Sequence, residues 1–313
     1  MYKLLLNENM KLYSKFGTWL MMALLLLIVA LVGVVNQYEA PPPDVSQWRT
    51  HVERDIEQMK AGILNEPNPQ IVKQIDNSIK VKEYALSHGI VPLEYTPWSF
   101  TKEGSSMIPL VSLFIIFVAG GIVANEFASG TIKSLLVKPH SRAKILLAKY
   151  LCVLQFALLL LVMLFAATFA CKGLFHDFSY WDTPYLFADA QGNVQEGNMI
   201  LHLFSTYLLN SVELLFVATI SFMISSVFRS PSLAIGISML LLLLGGLTTS
   251  LLAVKYDWIK YTLFANTSLS MYMEGSPLIE GMTLPFSLIV LGIYFSVFIL
   301  ITWTVFTKRD VVS

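Results

Sequence analysis

The sequence predicts an all-α membrane protein with six transmembrane helices, an N-terminal interfacial helix and an extracellular helical hairpin between the first two spans. Three observations predict it. Charged residues make up only 13% of the 313 positions, where a soluble domain carries about 25%. Mean hydropathy is +0.64. The apolar residues also gather into runs near the ~20 residues that a helix needs to cross the hydrocarbon core. Formal net charge is zero, so no basic excess points to nucleic acid.

The expected spans lie at about 18–35, 107–124, 151–170, 201–227, 233–254 and 284–306. Lys3, Lys11 and Lys15 precede the first, as in a secretory signal. Its apolar run exceeds the usual ~7–15 residues and Tyr38-Glu39-Ala40-Pro41 is a poor cleavage site, so the span is read as retained. Lys and Arg set the orientation. With the N-terminus inside, Lys3, Lys11, Lys15, Lys133, Lys138, Arg142, Lys144, Lys149, Arg229, Lys308 and Arg309 are cytoplasmic. The loops after the third and fifth spans hold only Lys172, Lys255 and Lys260. An even number of spans returns the C-terminus to the cytoplasm.

Residues 2–16 interleave Leu5, Leu6, Met10, Leu12, Tyr13 and Phe16 with lysines, which suits a helix lying on membrane lipid at the inner interface. A continuation of the first span into the cytoplasm fits the same pattern. Residues 37–106 form the expected extracellular hairpin. After Pro41-Pro42-Pro43, Val45, Trp48, Val52, Ile56, Met59 and Ile63 mark one helix, with Asp44 as its cap. Asn65-Glu66-Pro67 breaks it. A second helix, starting at Pro69 and carrying Ile71, Ile75, Ile79 and Leu86, runs to His88-Gly89. It either caps the spans or binds a ligand. Residues 172–200 read as a solvated loop, and part of 255–283 as short re-entrant helices.

Cys152 and Cys171 would lie about 28 Å apart along one helix, beyond the ~7 Å that a disulfide allows. Both read as buried thiols. The carboxylates of the third outside segment lack metal-loop spacing. His51, His88, His140, His176 and His202 are scattered, so neither a metal site nor a catalytic residue is expected. Asn210 and Glu213 are the polar residues inside the fourth span, and an intramembrane acid is a functional candidate. An interhelical hydrogen bond or a shifted span would also account for Glu213. Gly120-Gly121 and Gly245-Gly246 are expected close-packing points.

The segment 125–149, between the second and third spans, is the most motif-like. Gly130 permits a turn out of the bilayer, 131–137 suits a short helix, Pro139 ends it and Ser141 caps the next helix. Leu135, Leu136 and Val137 beside basic residues suit docking to a partner. The run Glu126, Gly130, Thr131, Lys133, Leu135, Leu136, Pro139, Ser141, Arg142 and Lys149 resembles the cytoplasmic loop of type-2 ABC exporter permeases, and the ending Phe306 to Val311 is similar to that family's. The resemblance implies a permease subunit in a bacterial plasma membrane, an ABC ATPase docked on 125–149, and a second permease copy or paralogue. No Gly-x-x-x-x-Gly-Lys-Ser/Thr run is present, so ATP and Mg are expected on the ATPase and no cofactor on this chain. It further implies export, with antimicrobial peptides as the first substrate guess. An ion-coupled carrier and a non-transporting peptide sensor or immunity protein are the alternatives.

Overall fold

A computed structural model describes residues 1–39, 47–64, 69–96, 98–131, 141–175, 180–189, 192–273, 277–279 and 281–308. Among them six helices are long and apolar enough to cross a membrane: Phe16–Asn36, Trp98–Ala128, Arg142–Cys171, Met199–Phe228, Pro231–Ala253 and Leu284–Lys308. The chain is a multi-pass, all-α membrane protein. Its helices are α1 (Tyr2–Tyr13), α2 (Phe16–Glu39), α3 (Trp48–Ile63), α4 (Pro69–His88), α5 (Trp98–Gly104), α6 (Ile108–Ala128), α7 (Arg142–Phe175), α8 (Met199–Phe228), α9 (Pro231–Ala253), α10 (Leu263–Thr267) and α11 (Leu284–Lys308).

Two boundaries differ from the sequence reading. The second span starts at Trp98, because Lys102 and Glu103 hide a helix whose Trp98, Phe100, Thr101 and Gly104 are buried. The third starts at Arg142, so its first two turns are charged and residues 142–149 belong to α7. The linking segment is therefore shorter than expected, with Glu126 in the last turn of α6.

The chain divides into two compact units. The first holds Met1–Leu25, Met107–Met163 and Leu208–Ser313. Here Gly120 lets helices approach closely: a Cβ added there would stand 2.9 Å from Ile235 Cγ1 and 3.1 Å from Ser221 Oγ. Serines of α8 exploit that approach. Ser221 Oγ donates to Ile116 O at 3.1 Å. Ser225 Oγ donates to Gly120 O at 2.6 Å and accepts from Ala124 N–H at 3.0 Å. Close backbones joined by short hydroxyls are the usual means of helix association in lipid, where apolar burial drives nothing. An apolar core of Phe216, Ile220, Ile224, Ala234, Leu263, Leu269 and Leu291 packs α8 and α9 with α10 and α11.

Between α9 and α11 the chain folds into short helical pieces, α10 flanked by 3-10 turns at Asp257–Tyr261 and Leu269–Tyr272. Asn266 holds them. Its Nδ2 donates to Lys260 O and Thr262 O, both at 2.7 Å, and its Oδ1 accepts from Ser287 Oγ at 2.6 Å. Gly245 lies against the Phe264 ring, whereas Gly246 faces open space.

The second unit holds Leu26–Ser106 and Leu164–Tyr207. Its hairpin of α3 and α4 is built on the expected stripes, with Trp48, Val52, Ile56, Ile79 and Val91 buried together. The N-cap of α3 is Gln47, and Asp44 lies outside the described residues. Gly89 ends α4 at φ +69°, with Ile90 N–H donating to Ala85 O at 2.9 Å. The segment after the third span, read as a loop, carries a hairpin of β1 (Tyr185–Ala188) and β2 (Val194–Gly197), with Tyr185 opposite Gly197. Its Glu196 accepts from Tyr84 Oη at 3.0 Å.

The glycine pair gives a test with opposite signs. Gly245→Ala drives a methyl to 2.6 Å from the Phe264 ring, an overpacking cost of about 1–3 kcal/mol. Gly246→Ala meets nothing within 4 Å and gains about 0.5–1 kcal/mol of helix propensity. Melting temperatures in detergent should fall for the first and hold or rise for the second.

Candidate functional site

The site begins with α1. Leu4, Glu8 and Leu12 recur every four residues, and all three are buried. Tyr2, Leu6 and Met10 form the opposite stripe and are exposed. The helix is fastened to the start of α2 by donors that satisfy its last carbonyls: Thr18 Oγ1 to Leu12 O at 2.6 Å, and Trp19 Nε1 to Tyr13 O at 2.8 Å. α1 is thus a separate helix packed through one face, not a straight continuation of the first span.

Glu8 is turned inward to meet Lys149, whose side chain has no exposed surface. The Lys149 ammonium lies 2.7 Å from Glu8 Oε2 and 2.8 Å from Glu126 Oε1. Lys11 closes the set at 3.1 Å from Glu8 Oε1 and 2.9 Å from Glu126 Oε1. Two carboxylates and two ammonium groups therefore alternate around a ring, with no net charge. For Lys11, burial pulls the pKa down, but the hydrogen bond and charge of Glu126 together with the charge of Glu8 outweigh it and leave it raised. Glu126 Oε2 is buried and has no hydrogen-bond partner among the described residues. A second tie lies beside the ring. Asn9 Nδ2 donates to Gln155 Oε1 at 2.8 Å, and Cys152 Sγ donates to Asn9 Oδ1 at 3.2 Å.

The ring stands at the base of the segment linking α6 to α7. The chain leaves α6 through Ser129 and Gly130, the latter at φ +72°, where only glycine is unstrained. It re-enters at Ser141, whose Oγ accepts from Lys144 N–H at 3.4 Å. The end of α11 touches both flanks: Phe306 meets Phe127 edge-on at 6.3 Å, and Arg142 Nη1 donates to Thr307 O at 3.4 Å. The Arg229 guanidinium covers the Phe127 ring at 4.3 Å.

The ten residues of the sequence motif thus fall into three groups. Glu126 and Lys149 are bonded to each other, Lys149 with no exposed surface and Glu126 with little. Gly130, Thr131, Ser141 and Arg142 mark where the segment departs and returns. Lys133, Leu135, Leu136 and Pro139 lie outside the described residues. Sequence reasoning missed Glu8, although an acid between Leu4 and Leu12 on one helical face was its signal. Asn210 and Glu213 lie at the centre of α8, half-buried, and neither makes a hydrogen bond or ion pair among the described residues. Cys152 and Cys171 are buried and unpaired with each other. Among the described residues no three metal-type side chains gather.

A family model described as "Protein of unknown function (DUF2705)" matches residues 70–312. The chain belongs to this DUF2705 family. The family match takes in Glu126 and Lys149 but begins beyond Glu8 and Lys11. The chain is similar to the "Uncharacterized protein YhcI" of Bacillus subtilis (strain 168), with 40% identity over 320 residues and all of both chains covered. It is also similar to the "Uncharacterized membrane protein YdbK" of the same organism, with 29% identity over 245 residues, 77% of this chain and 89% of that protein.

Breaking the ring on one side should be costly. Lys149→Met leaves two buried carboxylates facing Lys11 alone, a loss of about 3–5 kcal/mol. Glu8→Gln in the same chain removes the uncompensated charge and should recover much of that stability. Thermal unfolding in detergent would read both, and a Lys149→Met protein as stable as wild type would show that the ring is dispensable.

Proposed function

We propose that this protein is the transmembrane permease subunit of an ATP-binding-cassette exporter. The observation that carries the reading is the Glu126-to-Lys149 motif, which runs from the end of the second span into the start of the third, with its two ends bonded to each other. That pairing ties the two helices that flank the segment to each other, as a docking element's supports must be if it is to transmit force. In this reading both termini and the 129–141 segment are cytoplasmic, in a bacterial plasma membrane. A separate ATPase supplies ATP and Mg, and a second copy or a paralogue completes the permease. The chain itself performs no catalysis. Antimicrobial-peptide export or immunity is the substrate class that the family resemblance favours.

The test is copurification. The full chain should bring down an ATP-binding subunit, and Leu135→Asp should abolish the association while leaving the chain in the membrane. A chain that is stable alone and binds no ATPase would end this reading.

Glu213 favours a second reading, an ion-coupled carrier, because an unpaired carboxylate at the centre of a span is costly unless it binds a proton or cation. Transport in proteoliposomes driven by an ion gradient without ATP, and lost in Glu213→Gln, would replace the exporter. Under the exporter reading that variant keeps ATP-dependent transport.

A further inference from the structure

We propose that Lys149 is a latch that makes α1 and the two flanks of the 129–141 segment move as one body. The purpose of such a latch rests on the permease reading; its existence rests on the ion ring alone.

The segment leaves three residues after Glu126 and ends eight residues before Lys149. Each flank therefore contributes one charged residue to the ring, and the two are bonded at 2.8 Å. Each is also bonded to α1, Glu126 through Lys11 and Lys149 through Glu8. Moving either flank alone takes a carboxylate away from the fully buried Lys149 ammonium, and a buried charge so separated loses its solvation. Moving both flanks together with α1 separates none.

Apolar residues would hold α1 against the bundle equally well, since buried ion pairs are often no more stabilising than well-packed hydrophobes. They would also permit it to slide. Four alternating charges fit in one register only, and that is the property the ring adds. The other ties agree. Asn9 binds Gln155 and Cys152 on α7. Thr18 and Trp19 bind the end of α1 to the first turn of α2. A push on the segment is thus delivered to the start of the first span. On its outward side α1 shows Tyr2, Leu6 and Met10, an apolar stripe that can shift along lipid without breaking a polar contact.

Paired spin labels test the latch in the full-length chain in nanodiscs, with Cys152→Ser and Cys171→Ala as background. Labels at Tyr2→Cys and Ala128→Cys report α1 against the flank. Labels at Ala128→Cys and Val254→Cys report that the rest of the bundle is folded. The first pair should give one narrow distance distribution, kept by Lys149→Arg and broadened by Lys149→Met. Should Lys149→Met disturb the control pair, Glu8→Gln combined with Lys11→Met, which removes both ties of α1 to the ring while leaving Lys149 on Glu126, should broaden the first pair alone. Distributions as narrow as wild type in both variants would overturn the latch.

With the copurified ATPase, the Tyr2–Ala128 distance should stay fixed between the nucleotide-free and ATP–vanadate states while the Ala128–Val254 distance shifts. A change in the first distance would also overturn it. If no ATPase copurifies, the permease reading falls, and the comparison of variants alone decides on the latch.

Discussion

Much of the first unit depends on matching one charge. Lys149 carries its ammonium on a helix of the bundle with no exposed surface. Such a group survives only if it is paired and hydrogen-bonded. Its two carboxylate partners would repel each other in turn, and Lys11 offsets the second. Satisfying one lysine therefore requires a residue from α1, one from the end of α6 and a further lysine from α1. The position of the first twelve helical residues follows from that requirement as much as from their apolar face.

The remainder of the unit is assembled by a different means. Gly120 brings backbones close, and Ser221 and Ser225 reach carbonyls of α6 across the gap. Ser225 is bonded to both members of one helical turn, Gly120 O and Ala124 N–H, just ahead of Glu126. Short hydroxyl contacts thus lead directly to the ion ring. Asn266 does comparable work at the short helices between α9 and α11, where irregular backbone is tolerated because protein groups satisfy it.

The spans were legible because hydropathy needs no knowledge of partners. Their ends were less so, wherever a helix continued through charged residues. Lys102 and Glu103 looked like loop, yet the helix already runs there because the other face is buried. Glu126 and Lys149 were legible as a motif, but their pairing was not. The residue that explains it, Glu8, stands 141 positions from Lys149, and long-range pairing leaves no local periodicity. The strands of the hairpin after the third span have four residues each, too few for alternation to register. Glu213 was legible from composition alone, since a lone acid within an apolar run needs no structure to be noticed.

That long separation bears on biogenesis. A chain made from its N-terminus places α1 at the membrane well before the third span exists. Until Lys149 is in place, Glu8 lacks its closest partner and has only Lys11 beside it. The ring that holds α1 can therefore close only once the third span has been made, and it joins α1 to the second and third spans.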